Sequence, residues 1–182
     1  AIEKVILFGD SLMAGYGLPK EQHLSVVLQK SLEFDGHNIE IINGSVSGNT
    51  SAGGLNIAEW TLSENNIDLM ILCLGANDML RGINPKETKN NLEEIIEIAK
   101  NKNIKVIIAG MIAPTSYGFA YKKSFDKIFS DLSKKHKLQL IPFLLEGVAQ
   151  KPEFNLSDGM HPNDQGTIII GNTLKKAILE NL

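Results

Sequence analysis

Ser11, Asp158 and His161 are the residues of this chain whose types and settings could carry out covalent chemistry. A serine hydroxyl attacks a carbonyl at neutral pH only when a base takes its proton during the attack. Ser11 closes Val5-Ile6-Leu7-Phe8-Gly9-Asp10-Ser11, an apolar run that ends abruptly in a glycine, a carboxylate and a hydroxyl. His161 lies in Ser157-Asp158-Gly159-Met160-His161-Pro162-Asn163, with an aspartate three residues before it. Two residues three apart on a tight turn can face one direction. Asp158 would then hold the imidazole through Nδ1–H and leave Nε2 for the Ser11 hydroxyl. The remaining histidines have polar neighbours: His23 near a helix start, His37 in a turn, His136 at a basic helix end. They read as surface residues.

Attack on an ester also creates an oxyanion, which needs preorganised donors. The candidates are the backbone N–H groups of Ser11 and Gly48 and the side-chain amide of Asn77. Gly48 is chosen because glycine lets the main chain approach closely. Taken singly, each segment is an ordinary turn: Gly-Asp-Ser after a strand, Asn77-Asp78 as a cap, Asp158-Gly159 before a helix. Taken jointly, three strand exits and one late loop carry complementary chemistry.

The elements that must position these groups alternate in type. Short apolar runs at 5–8, 39–43, 68–74, 105–109 and 138–141 read as strands, the central ones buried on both faces. Helical spacing of apolar residues marks 24–34, 52–65, 85–101, 119–136 and 164–178. Thr50 or Ser51 can cap the second of these, and the polar run Glu64-Asn65-Asn66 ends it. Residues 12–22, with Gly15, Gly17 and Pro19, read as a loop, and 142–163 as mostly irregular. Alternating strands and helices imply a three-layer α/β/α sandwich on a five-stranded parallel sheet. The flavodoxin-like order 2-1-3-4-5 is the first choice, because it makes the ends of strands 1, 2 and 3 neighbours. That order brings Ser11, Gly48 and Asn77 together.

Bulk properties narrow the function classes. The 182 residues are read as a single domain, residues 1–182, and the net charge of −3 argues against a nucleic-acid partner. No apolar stretch approaches the length of a membrane span. The apolar run begins at Val5, so no signal peptide is expected in the chain. Cys73 is the lone cysteine and sits in an apolar run, the setting of a buried structural thiol. Neither a metal-ligand cluster nor a cofactor fingerprint is found, so no cofactor and no metal are expected.

With these motifs quoted, a resemblance is plain. The chain resembles the SGNH hydrolases of the GDSL esterase/lipase superfamily. Gly9-Asp10-Ser11-Leu12 matches the nucleophile block and Gly48, in Ser47-Gly48-Asn49-Thr50, the glycine block. Gly75-Ala76-Asn77-Asp78 matches the asparagine block and Asp158-Gly159-Met160-His161-Pro162 the terminal block. The segments Ser11–Tyr16, Asn77–Gly82 and Pro142-Phe143 are similar to the small bacterial thioesterase, lysophospholipase and arylesterase members. The Gly-x-Ser-x-Gly elbow of ordinary α/β-hydrolases is absent, since Met13 stands where its second glycine would be.

The resemblance implies catalytic Ser11, Asp158 and His161, an oxyanion hole from Ser11, Gly48 and Asn77, and a periplasmic or secreted location. Asp10 is given a supporting structural role. The expected reaction is hydrolysis of a small-molecule or lipid ester, and of acyl thioesters, through an acyl-serine. Loops 12–22, 79–84 and 110–118 border the site, and Ile112, Pro114 and Tyr117 are the expected substrate contacts. The alternatives are a carbohydrate O-deacetylase on the same fold and a non-catalytic flavodoxin-like binding module. The second leaves the Asp158/His161 pair without a purpose.

Overall fold

The structure, a computed structural model, describes residues 1–63 and 66–182 of the chain. Five strands, β1 (Lys4–Gly9), β2 (Glu40–Asn43), β3 (Leu69–Cys73), β4 (Lys105–Ala109) and β5 (Gln139–Ile141), form one parallel sheet. Their order is β2-β1-β3-β4-β5, as the sequence leads one to expect. Burial follows position in the sheet. Every residue of β3 and all but the first of β1 are buried, whereas the edge strands β2 and β5 are partly exposed. The continuous apolar runs of the central strands are therefore what two covered faces require.

The helices are α1 (Ser11–Ala14), α2 (Leu24–Phe34), α3 (Ser51–Ser63), α4 (Ala76–Leu80), α5 (Pro85–Asn101), α6 (Phe119–His136) and α7 (Asp164–Leu179). Helix α2 packs on α7, and α5 packs on both α3 and α6; these are the two helical layers of the sandwich. The apolar stripe of α5, Leu92, Ile95, Ile96 and Ala99, is wholly buried. Close approach has a visible cause at Gly54 of α3, where a Cβ would stand 2.4 Å from Leu74, one residue beyond β3.

Several boundaries differ from expectation. Strand β2 begins at Glu40, β3 spans only Leu69–Cys73, and β5 begins at Gln139. Asp68 is not a strand residue; its carboxylate accepts the N–H groups of Glu3 and Lys4, each at 2.9 Å, and pins the start of β1. The expected end of the second helix at Glu64 and Asn65 lies outside the described residues. Its start is settled: Thr50 caps it by accepting the Gly53 N–H at 3.1 Å, while Ser51 turns inward.

The segment 12–22, expected as a loop, opens with the single turn α1 and carries a 3₁₀ turn at Lys20–Gln22. Asp10 causes the first, since its Oδ1 accepts the Leu12 N–H at 3.0 Å and its carbonyl accepts those of Met13 and Ala14. Gly15 then ends α1 in the left-handed region, φ +91, above the His23 ring. His23 is consequently no surface residue: it is half-buried, with Nε2 2.9 Å from the Leu18 carbonyl oxygen. His136 differs from expectation more. Its side chain is 9 % exposed, and Nε2 lies 2.7 Å from the Glu93 carboxylate.

Candidate active site

Parallel strands point their carboxyl ends the same way, so β1, β2 and β3 deliver their exits to one rim of the sheet. Ser11 is the first residue of α1, immediately beyond β1. The register pairs Gly9 with Cys73, and a Cβ on Gly9 would meet the Cys73 carbonyl oxygen at 2.5 Å. A side chain there would push β1 and β3 apart beneath the serine. Cys73 itself is buried, and burial raises its thiol well above the usual range.

His161 reaches Ser11 from the far end of the chain. Its Nε2 stands 2.9 Å from Ser11 Oγ, and its Nδ1 stands 2.6 Å from Asp158 Oδ2. The late loop is shaped by its own backbone. Asn155 and Pro162 form an antiparallel bridge, Leu156 donates to the His161 carbonyl at 2.7 Å, and Gly159 turns at φ +70. Asp158 Oδ1 accepts the N–H groups of Met160 and His161 at 2.9 and 3.0 Å. The hydrogen bond from His161, then these two N–H groups, hold the Asp158 carboxyl down at about 2. An ionised carboxylate only accepts, so Nδ1 carries the proton and Nε2 offers its lone pair to the serine hydroxyl. That is the arrangement a general base requires.

The donor candidates lie on the three neighbouring exits. Neither the Ser11 nor the Gly48 N–H has an internal acceptor among the described residues. Asn77 is on the first turn of α4, and its Nδ2 donates to the Asn49 carbonyl at 2.9 Å, one residue past Gly48. That bond fixes the amide plane and leaves a second N–H. The reason for glycine at 48 is not close approach: a Cβ there would have nothing within 4 Å. The residue turns at φ +80, which a side chain resists.

Ser11, Asn77 and His161 open onto a groove of about 840 Å³, within the size range of small-molecule sites. Met111 to Thr115 form one wall, and Phe143 with residues 145–147 and 149–151 the other. Ile112 and Pro114 line it as expected, but Tyr117 does not. Its ring packs 5.6 Å from that of Tyr121, because the 3₁₀ turn Thr115–Tyr117 swings it toward α6. The wall from 143 to 151 is a contribution that sequence reasoning missed, having no periodicity to reveal it. Tyr16 was also missed as a neighbour of the histidine: its ring lies 4.3 Å from that of His161. The one signal was an aromatic residue between two glycines, five positions after the serine.

One wall is tied down by an ion pair. Lys122 Nζ donates to the Ala113 carbonyl and to Asp126 Oδ2, while Asp126 Oδ1 accepts the Ala113 N–H, all at 2.7 Å. Elsewhere, Glu93, Glu97 and His136 bring three potential metal ligands within reach of one another. Glu93 is already engaged by His136 and by Lys135 at 2.8 Å, which makes the cluster an ion-pair network between α5 and α6.

Comparison with known proteins identifies the family. Residues 7–167 match the model of the GDSL-like lipase/acylhydrolase family. The chain is 36 % identical over 182 residues to an arylesterase of Vibrio mimicus, covering 100 % of this chain and 91 % of that protein. It is 30 % identical over 178 residues to thioesterase 1/protease 1/lysophospholipase L1 of Escherichia coli, covering 98 % and 84 %. The crystal structure of TesA superposes with a TM-score of 0.93 at 32 % identity, over 99 % of this chain and 100 % of that one. The chain therefore belongs to the GDSL-like lipase/acylhydrolase family and is a carboxylic ester hydrolase.

Proposed function

We propose that Ser11 is the nucleophile, His161 the general base and acid, and Asp158 the carboxylate that orients it. The observation that carries this reading is the continuous relay from Ser11 Oγ to His161 Nε2 at 2.9 Å and from Nδ1 to Asp158 at 2.6 Å. Ser11 Oγ attacks the acyl carbon while its proton passes to Nε2. The oxyanion is met by the N–H groups of Ser11 and Gly48 and by the Asn77 amide. Collapse expels the alcohol or thiol, which takes the proton from Nε2 and leaves an acyl-serine. Water, deprotonated by the same imidazole, then releases the acid.

The substrates proposed are esters and acyl thioesters of short-to-medium acyl chains, with lysophospholipid and aryl esters in range. The apolar wall of Met111, Ile112, Ala113 and Pro114 supports this. Each buried methylene contributes about 0.8 kcal/mol, roughly a fourfold preference. An acetyl group, the substrate of a deacetylase, would leave that wall unused. The family resemblance supports a periplasmic or secreted location, which fractionation of the producing cells would test; no helix among the described residues is long and apolar enough to cross a membrane.

A fluorophosphonate probe with peptide mapping tests the nucleophile, and Ser11→Ala should abolish both labelling and turnover. Labelling at another residue, or turnover near that of the native chain, would remove the assignment. A p-nitrophenyl ester series from acetyl to palmitoyl, run beside matched thioesters, tests the range. Strict preference for acetyl with turnover of acetylated sugars would favour the deacetylase.

A further inference from the structure

Beside the nucleophile lies a buried oxygen with nothing to bind. Asp10 is 1 % exposed; Oδ1 caps α1 through Leu12, while Oδ2 is buried with no hydrogen-bond partner among the described residues. Capping one N–H needs one oxygen, and asparagine or serine provides it as well as aspartate. A carboxylate adds a charge that is costly to bury unless another group answers it. Asp10 lines the same groove as Ser11 and His161, so the question is which group answers.

The charged and titratable neighbours are few. Asp78 of α4 and Cys73 of β3 both feel Asp10, and so does His161. Asp78 has the same sign and its own donors, and Cys73 is a thiol held protonated by burial. His161 in turn faces Ser11, Asp158 and the Tyr16 ring. Lys122, Glu146 and Lys151 line the groove, with Lys122 paired to Asp126. Of the groups that feel Asp10, His161 alone becomes a cation during the reaction.

We propose that Asp10 is a positioning residue for catalysis: its carboxylate is a second, buried negative charge that favours the imidazolium of His161 while the Ser11 proton rests on Nε2. The proposal rests on the reading of His161 as the base. Asp158 binds the imidazole directly, but its side chain is 39 % exposed and water screens part of its charge. Asp10 acts without contact yet through a medium that screens little. Burial pushes its carboxyl up to about 6; the Leu12 N–H and, more weakly, the charge of His161 pull it back. The coupling is mutual: an anion at Asp10 holds the proton on His161 more tightly. Asp10 itself exchanges no proton in the cycle, since the proton goes from Ser11 Oγ to Nε2 and then to the leaving oxygen or sulfur.

Asp10→Asn keeps the capping oxygen and the volume and removes the charge. The pH profile of kcat/KM for p-nitrophenyl butyrate, with fluorophosphonate labelling of Ser11 in both proteins, reads the effect. The acid-limb midpoint should move down by about 0.5–1 pH unit, since less charge holds the proton on His161. The plateau kcat should fall about three- to tenfold. An unmoved midpoint in a folded variant that still labels would overturn the role of Asp10 and leave the triad standing. Failure of the native chain to label would overturn both. Should the variant not fold, the His161 Cε1–H resonance of the native chain decides by NMR titration. A second inflection at the pH where the Asp10 carboxyl titrates supports the proposal, and a single inflection overturns it.

Discussion

The exits of β1 and β3 each place an aspartate, 1 % exposed, next to a residue of the site: Asp10 before Ser11 and Asp78 after Asn77. At the β3 exit Asp78 is fully answered. Its Oδ1 accepts the Ser51 N–H at 2.8 Å, and its Oδ2 accepts the hydroxyls of Ser51 and Thr88 at 2.5 and 2.8 Å. Asn91 donates in turn to Ser51 Oγ at 3.1 Å, so α3, α4 and α5 are tied at one point. At the β1 exit the Asp10 carboxyl accepts, among the described residues, the Leu12 N–H alone. Equal burial with unequal partners separates two uses of the same residue type. Asp78 is a knot that rigidifies the turn carrying Asn77, whereas Asp10 keeps a buried, unpartnered carboxyl oxygen under the nucleophile at a cost to the fold.

The largest effect should come from cutting the knot. Asp78→Ala strips the acceptor from three buried donors, each costing about 1–3 kcal/mol when left unpaired. We expect a loss of roughly 3–5 kcal/mol by urea unfolding. A loss below about 1 kcal/mol would erase the contrast between the two exits. Asn77→Ala, one residue away, should leave the fold stable and lower kcat by about 10²–10³ with little change in KM. If KM alone rose, Asn77 would be a ground-state contact instead of an oxyanion donor.

Asp10→Asn tests the other side of the comparison, and its sign depends on pH. A carboxyl raised from 3.8 to about 6 favours the fold when protonated. That contribution is complete below pH 3.8 and lost as pH rises through 6, roughly 3 kcal/mol over the full range. The difference in Tm between variant and native chain should therefore become more positive from pH 4 to pH 8. A constant difference would show Asp10 to be uncharged or answered. Asp158 slopes the other way: depressed to about 2, it adds stability above pH 3.8 that is lost as pH falls toward 2.

The smallest effect concerns the groove wall. Asp126→Asn weakens the pairing of Lys122 and the hold on Ala113. The ratio of kcat/KM for octanoyl over acetyl ester should drop about two- to fivefold, in keeping with a half-buried, solvent-reached pair worth about 1 kcal/mol or less. An unchanged ratio would mean that the wall stands without the clip.

Local signals set the element sequence, because strands buried on both faces and one-sided helices each leave a period in the chain. That is why β4, α2, α5 and α6 begin and end where their patterns do. The parallel order followed from alternation, and with it the meeting of the exits that carry Ser11, Gly48 and Asn77. His161 and Asp158 were legible because they share one short turn and a motif, although 150 residues separate His161 from Ser11. What the sequence left open depends on contacts that have no period. The wall from Phe143 to Lys151 is irregular backbone held by neighbours, and the displacement of Tyr117 onto Tyr121 follows from how one 3₁₀ turn meets α6. The difference between Asp10 and Asp78 is likewise invisible in a string where each follows a polar or glycine residue at a strand exit. The packing of α3 and α5 around one exit supplies donors to Asp78, whereas at the other exit Asp10 Oδ2 is buried with no hydrogen-bond partner among the described residues.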